Sequence, residues 1–346
     1  MTDRMVQKIR REARSLEQES IELELSGRSH SAAEQAEAAL RKMETVAKIQ
    51  NKISAYRDLV SASWNYLNVT RVSYPFTEVS AEAARVGIQA QKSILRISNS
   101  LAEKRNLAGI CRDGCIYLGN SSLSMAEEAV SLAEELVKLS SRKEDRKLLG
   151  TCYARRGEVL TALGQYDSAQ KNLDRATLIL STLYKDEPWD WTAAIRVRCM
   201  YIAFYLEKKM FAAAKAKCQE AISFLRHALE CCKPAYYATI AIAATALFRF
   251  FEKNALTAEE DQSMNLLVQF YRTHKAERAF KIDISETIHV AARYVEQLSE
   301  KGELAEAQAV GQKVEQTAAH ILCEEDNPEV YQDFCRTCAV LARQPV

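Results

Sequence analysis

At 346 residues the chain is too long for one compact helical bundle, so it forms either two domains or a single elongated repeat array. Only 10 Gly and 5 Pro, against abundant Ala, Leu, Glu, Lys, Arg and Gln, favour helices, and a hydrophobic share of 48% excludes general disorder. The near-equality of 47 basic and 46 acidic residues argues against a nucleic-acid partner, which selects a basic excess.

The first segment, Met1 to Glu24, is charged and amphipathic without an apolar core, unlike a signal peptide. No window approaches the roughly 18 consecutive apolar residues of a spanning helix. A cytoplasmic chain without membrane insertion is therefore expected. The ten cysteines fall mostly in apolar helical stripes, as at Cys152, Cys199 and Cys218, and are read as reduced thiols that pack as small hydrophobes.

Breaks follow at a regular step. Polar turns at Ser26–His30, Arg71–Pro75, Gly119–Ser122, Gly164–Tyr166, Lys208–Met210, Lys253–Ala255 and Lys301–Glu303 recur about every 45 residues. Each is flanked by helical periodicity. After Gly164 come Tyr166, Ala169, Leu173, Ala176, Leu180 and Leu183; after Gly302 come Leu304, Ala307, Val310, Val314 and Ala318. Small residues return in phase, Ala32, Ala169, Ala214 and Ala307 early in the second helix, then Ala39, Ala176 and Ala221 two turns later. A small residue at fixed phase implies that one hairpin is rebuilt each time.

Seven antiparallel helix pairs are thus expected at about 3–51, 53–98, 102–140, 143–184, 188–230, 234–275 and 283–323. Pro75, Pro188, Pro234 and Pro328 each open a predicted helix, where the missing amide costs nothing. Thr257 and Glu260 have the spacing of a capping box. A last helix over 328–343, with Val330, Phe334, Cys338 and Leu341 on one stripe, covers the final pair, and 344–346 is a tail.

The stretch GTCYARRGEVLTALGQYDSAQKNLDRATLILS, Gly150 to Ser181, resembles a tetratricopeptide repeat. Tyr153, Gly157, Leu160, Gly164, Tyr166, Ala169, Leu173 and Ala176 match its spaced positions in order, and Ser181 stands where the family usually has proline. Residues 195–225 and 288–318 fit more loosely. The family's period is 34 residues, so helices here must be longer, at about 17–22 residues or ~30 Å. The resemblance implies an all-α, right-handed α-solenoid spanning 1–343 as a single array, and a protein-interaction scaffold or adaptor rather than an enzyme.

In that family the first helix of each pair lines a groove. The resemblance therefore places Tyr66, Asn106, Asp113, Arg155, Glu158, Arg196, Phe248, His289, Arg293 and Glu296 near a partner-binding surface. Arg155 with Glu158, and Arg293 with Glu296, repeat in phase, either as i, i+3 salt bridges or as forks offered to a partner's carboxylate. Chaperone-tail capture is not expected, because Thr151, Ala154, Cys199 and Ala203 stand where that binding needs basic and Asn positions.

Other chemistry has weak support. His320, Cys323, Cys335 and Cys338 have zinc-like spacings, but they straddle two helices and Cys338 belongs to a core stripe, so no metal is assigned. No phosphate loop, nucleophile elbow or paired-histidine motif is present, so no cofactor or catalytic residue is expected. The cluster Arg142–Lys147 is broken by Glu144 and Asp145 and reads as a solvated helix start. Arg272, Lys275, Arg278 and Lys281 form a more purely basic patch that suits an anionic partner. Two alternatives to a scaffold stay open: a regulator controlled by a peptide or small ligand, and RNA binding through that patch.

Overall fold

The computed structural model describes residues 3–25, 28–70, 77–119, 122–140, 142–183, 189–231, 244, 246–248, 250–274, 284–322 and 328–341. Among them the secondary structure is helical, with no strand. The chain divides into two compact units, Met1–Leu180 and Ser181–Val346.

The first unit holds α1 (Asp3–Leu25), α2 (Ser29–Gln50), α3 (Ile53–Thr70), α4 (Glu78–Ser98), α5 (Leu101–Gly114), α6 (Ser122–Ser140), α7 (Lys143–Ala162) and most of α8 (Tyr166–Leu183). Consecutive helices run antiparallel. Arg10, near the start of α1, bonds Gln50 at the end of α2, and Lys104, near the start of α5, pairs with Glu135 near the end of α6. The small residues lie where the hairpins close: Ala32, Ala39, Ala169 and Ala176 are all fully buried. In the repeat-like pair, a Cβ added to Gly157 would stand 2.8 Å from Leu173 Cγ, and one on Gly150 would stand 2.9 Å from Leu180. Those contacts are the physical content of the motif, a TPR-like helix hairpin with backbones drawn together.

The third pair departs from the expected turn. Helix α5 ends at Gly114, five residues before Gly119, and the chain then coils tightly. Ser122 Oγ donates to the Cys115 carbonyl at 2.7 Å, and the Tyr117 hydroxyl reaches back to the Leu67 carbonyl of α3 at 3.1 Å. Tyr117 and Leu118 are consequently buried, so a segment expected to be helix instead plugs the end of the pair.

The second unit contains α9 (Trp189–Glu207), α10 (Phe211–Cys231), α11 (Thr257–His274), α12 (Ile284–Glu300), α13 (Leu304–Leu322) and α14 (Pro328–Leu341), with helical residues also at 244, 246–248 and 250–253. Ile195 and Ile202 of α9 pack with Ile222 and Leu225 of α10 and with Leu247 and Phe251. Phe334 of α14 packs on Ala292, Val314 and Ala318, which is the covering role expected of a last helix. Pro328 is the first residue of α14; the other three predicted helix-opening prolines lie outside the described residues. The capping box does not form, since Thr257 is already helical and Glu260 turns to Arg293, 3.1 Å away.

The turns explain the period. Gly164, Lys209, Ala255 and Gly302 all have positive φ, between 54° and 74°. In each case the next amide returns to the carbonyl five residues back: Gln165 to Leu160, Met210 to Tyr205, Leu256 to Phe251 and Glu303 to Leu298. This is the left-handed helix stop that glycine usually provides, here met twice without it. Asn51 and Asn99 are also left-handed at the ends of α2 and α4, but there the asparagine's own amide bonds the carbonyl four residues back, of Ala47 and Leu95.

Candidate functional site

The first helices of successive pairs in the first unit, α1, α3, α5 and α7, are tied by a ladder of ion pairs. Arg10 Nε meets Asp58 at 2.7 Å, and Arg14 meets the other oxygen of the same carboxylate at 3.0 Å. Arg57 meets Glu103 at 2.6 Å. Arg105 then forms a two-point contact with Asp145, which also accepts from the Ser140 hydroxyl. Each helix thus gives an arginine to the next and presents a carboxylate to the one before.

In the second and third rungs the carboxylates, Glu103 and Asp145, are buried while Arg57 and Arg105 stay partly exposed. Burial pushes the Glu103 carboxyl up, but donors from Arg57, Gln91 and Asn106 outweigh it, and its pKa lies below the usual range. Gln91 stands 2.8 Å and Asn106 3.1 Å from the same oxygen. The Arg105 bond holds Asp145 below its ordinary value against a desolvation that would raise it. Asp145 is fully buried, so the expected solvated helix start at 142–147 holds for Arg142, Glu144 and Arg146 but not for its central acid.

Between α3 and α5 this ladder borders an open cleft of about 430 Å³. Val60, Trp64 and Ile110 are the apolar part of its lining, and Gly109 leaves it open, since a Cβ there would meet nothing within 4 Å. Arg57, Gln91, Glu103, Arg105, Asn106 and Asp113 form the polar part of the lining. Asp113 is gripped by Arg112 at 2.6 and 2.7 Å, and Arg112 also reaches Thr151 of α7 at 3.0 Å. The lining is therefore charged but internally neutralised, with fixed donors and acceptors beside apolar side chains.

The structure brings two of the sequence-predicted positions, Asn106 and Asp113, to this cleft. Arg155 and Glu158 bond each other on α7. Arg293 bonds Glu296 at 3.3 Å and also the buried Glu260, so the in-phase pairs are salt bridges. Arg196 is exposed on α9. Tyr66 and Phe248, expected near the surface, are 5% and 1% exposed. Each lies on the side of its helix that meets a neighbour: Phe248 packs with Met264, Tyr294 and Leu298, and burial raises the Tyr66 hydroxyl above its ordinary value. The side chains of His289 and Arg272, and all of Lys275, Arg278 and Lys281, lie outside the described residues, so the basic patch does too.

Of the zinc-like set, Cys338 donates to Glu315 at 3.2 Å, while the His320 side chain and Cys323 are outside the described residues. Burial pushes the Cys115 and Cys152 thiols up to about 12, leaving them protonated and inert at neutral pH. Among the described helices, none is long and apolar enough to cross a membrane.

Arg57, Trp64, Gln91, Glu103 and Gly109 were not singled out by sequence. Two signals point to them: Gly109 sits mid-helix, where glycine weakens a helix by about 1 kcal/mol, and opposite charges stand one period apart at Arg57 and Glu103.

No family model matches the chain, and neither does any curated protein. Among solved structures it is similar to the C-terminal part of a TPR repeat-containing protein from Cytophaga hutchinsonii, at 10% identity and a TM-score of 0.34, over 92% of this chain and 98% of that one. It is similar to a monomeric mutant of IFIT1 with Gppp-AAAA, at 12% identity and a TM-score of 0.35, over 88% of this chain and 68% of that one. Yeast Tom70 aligns at 10% identity and a TM-score of 0.27, over 96% of each chain. These similarities concern helical-repeat architecture.

Proposed function

We propose that the chain is a non-catalytic interaction scaffold that holds a partner peptide, helix or domain on the first-helix face of its pairs, with the α3–α5 cleft as the anchoring point. The observation that supports it is the cleft itself: Val60, Trp64 and Ile110 line it together with polar groups already locked by their own bonds. Locked groups lose little conformational freedom when a partner arrives, which is what a preorganised recognition surface needs. Asn106, Asp113, Arg155, Glu158, Arg196, His289, Arg293 and Glu296 are the proposed contact positions. A cytoplasmic location belongs to the same reading.

A photo-crosslinking side chain at Ser61, exposed on α3 between Arg57 and Trp64 without filling the cleft, tests it. Capture of one defined partner from native extract through position 61, and not through the exposed Leu178 of α8, is the expected result. Equal capture at both positions, or none, would sink the reading.

The cleft volume also falls within the range of small-molecule sites, about 300–1,000 Å³, which favours a ligand-controlled regulator as the second reading. Thermal stabilisation by a small ligand, abolished by Gly109→Leu, would select it over the scaffold.

A further inference from the structure

The two edges of the first unit carry opposite charge; both expose aliphatic side chains, Ile21 and Leu163 on the acidic one, but on the basic one they recur beside a base at the end of every second helix. Helices α2, α4 and α6 all end in the same way, with an exposed aliphatic as the next-to-last residue: Ile49 at 40%, Ile97 at 54% and Leu139 at 58% exposure. Each directly follows an exposed base, Lys48, Arg96 or Lys138. Where α1 and α5 begin, on the same edge, Met5 and Leu101 are exposed as well. Core-facing positions account for none of these, because the packing residues of the same helices are buried.

Charge on this edge is set by side chains, since N-termini of first helices alternate with C-termini of second helices and their dipoles offset. Arg4, Lys8, Lys52, Arg142 and Arg146 add exposed bases. The first turns of α1, α5 and α7 hold four acids, but Glu103 and Asp145 are buried and bonded to Arg57 and Arg105, leaving Asp3 and Glu144 at the surface. The opposite edge displays Glu22, Glu34, Glu78, Glu82, Glu127 and Asp167 against the exposed bases Arg28 and Arg85, the latter paired with Glu78 and Glu82.

We propose that the edge carrying Ile49, Ile97 and Leu139 with Lys48, Arg96 and Lys138 is a peripheral docking surface for an anionic phospholipid bilayer. A nucleic-acid backbone would be satisfied by the bases and gain nothing from aliphatic tips. A partner helix would need a groove, whereas these tips sit one to a pair on successive helix ends. A bilayer surface accepts both: the aliphatics enter the boundary between headgroups and acyl chains while the basic groups stay among the phosphates.

Co-sedimentation of the full chain with vesicles tests this. Vesicles of phosphatidylcholine with about one-third phosphatidylserine should bind the chain and release it at high salt, and pure phosphatidylcholine vesicles should not bind. The pair Ile97→Ser with Leu139→Ser, and separately Lys48→Gln with Lys138→Gln, should each weaken binding about tenfold or more, with thermal unfolding unchanged. Glu127→Gln on the other edge should have no effect. Failure to bind the anionic vesicles, or binding lost with the lysines but indifferent to Ile97 and Leu139, overturns the proposal. The second outcome would mark a general polyanion site such as one for nucleic acid.

Discussion

The Arg57 guanidinium of α3 bonds the Glu103 carboxylate of α5 at 2.6 Å, across 46 residues of sequence, and one pair later Arg105 repeats the contact with Asp145. The two rungs are unequal. Arg57 keeps 62% of its side chain exposed, while Asp145 has none. Removing an acid strands Arg57 at 62% exposure in the first case but Arg105 at only 26% in the second, so the second loses more. Asp145→Ala should therefore cost about 3 kcal/mol and Glu103→Ala nearer 2, with Arg57→Ala below about 1. Urea unfolding of each variant, and a double-mutant cycle for Arg105 with Asp145, checks the order; equal losses at all three positions would contradict it.

The same ladder fixes an acid limit. Glu103 and Asp145 both titrate below their unfolded values in the folded chain, so they stabilise it above the unfolded carboxylate range. That contribution is lost as pH falls through their folded pKa values, below about pH 4. Glu103→Gln and Asp145→Asn should each flatten the fall in stability on acidification while lowering stability at pH 7. A pH series of thermal unfolding measures both, and an unchanged acid slope in either variant would count against the assignment.

Turn chemistry gives predictions of opposite sign. Lys209 and Ala255 occupy the left-handed conformation at φ 57° and 54° that Gly164 and Gly302 adopt at 71° and 74°. A side chain there costs about 1 kcal/mol. Lys209→Gly and Ala255→Gly should raise stability by about 0.5–1 kcal/mol, and Gly164→Ala and Gly302→Ala should lower it by a similar amount. Differential scanning calorimetry resolves shifts of this size, and destabilisation by Ala255→Gly would refute the account.

These turns also show why the repeat was legible from sequence and the cleft was not. The period is written in local chemistry, a helix stop every 45 or so residues and a small residue at fixed phase, and both survive without knowledge of neighbours. Ala169, Ala214 and Ala307 are all buried as their phase implies. The ladder depends on side chains from different pairs pointing at one another, and Arg57 looks no different in sequence from Arg96, which bonds Ser93 of its own helix. Tyr66 and Phe248 show the converse error: the first-helix phase located them correctly along the chain, but a large aromatic beside a packed neighbour turns inward. The early end of α5 was hidden because Cys115, Tyr117 and Leu118 continue a helical pattern that only the contacts to Leu67 and Ser122 break.

Two mid-helix glycines separate packing from function. At Gly157 a Cβ would press on Leu173 Cγ at 2.8 Å and on the Ala169 carbonyl oxygen at 3.3 Å, and the second of these is backbone that cannot step aside. Gly157→Ala should therefore cost about 1–3 kcal/mol despite the better helix propensity of alanine. At Gly109 the added Cβ meets nothing within 4 Å, so Gly109→Ala should instead gain about 0.5–1 kcal/mol. On the proposed reading, Gly109 keeps open the cleft that Trp64 and Ile110 also line. Gly109→Leu should accordingly fold at least as well as the parent while losing whatever binds in the cleft. Chemical denaturation alongside fluorescence titration, with Trp189→Phe and Trp191→Phe introduced so that Trp64 alone reports, reads both quantities. Loss of stability in Gly109→Ala, or partner binding undisturbed in Gly109→Leu, would remove the cleft from the recognition surface.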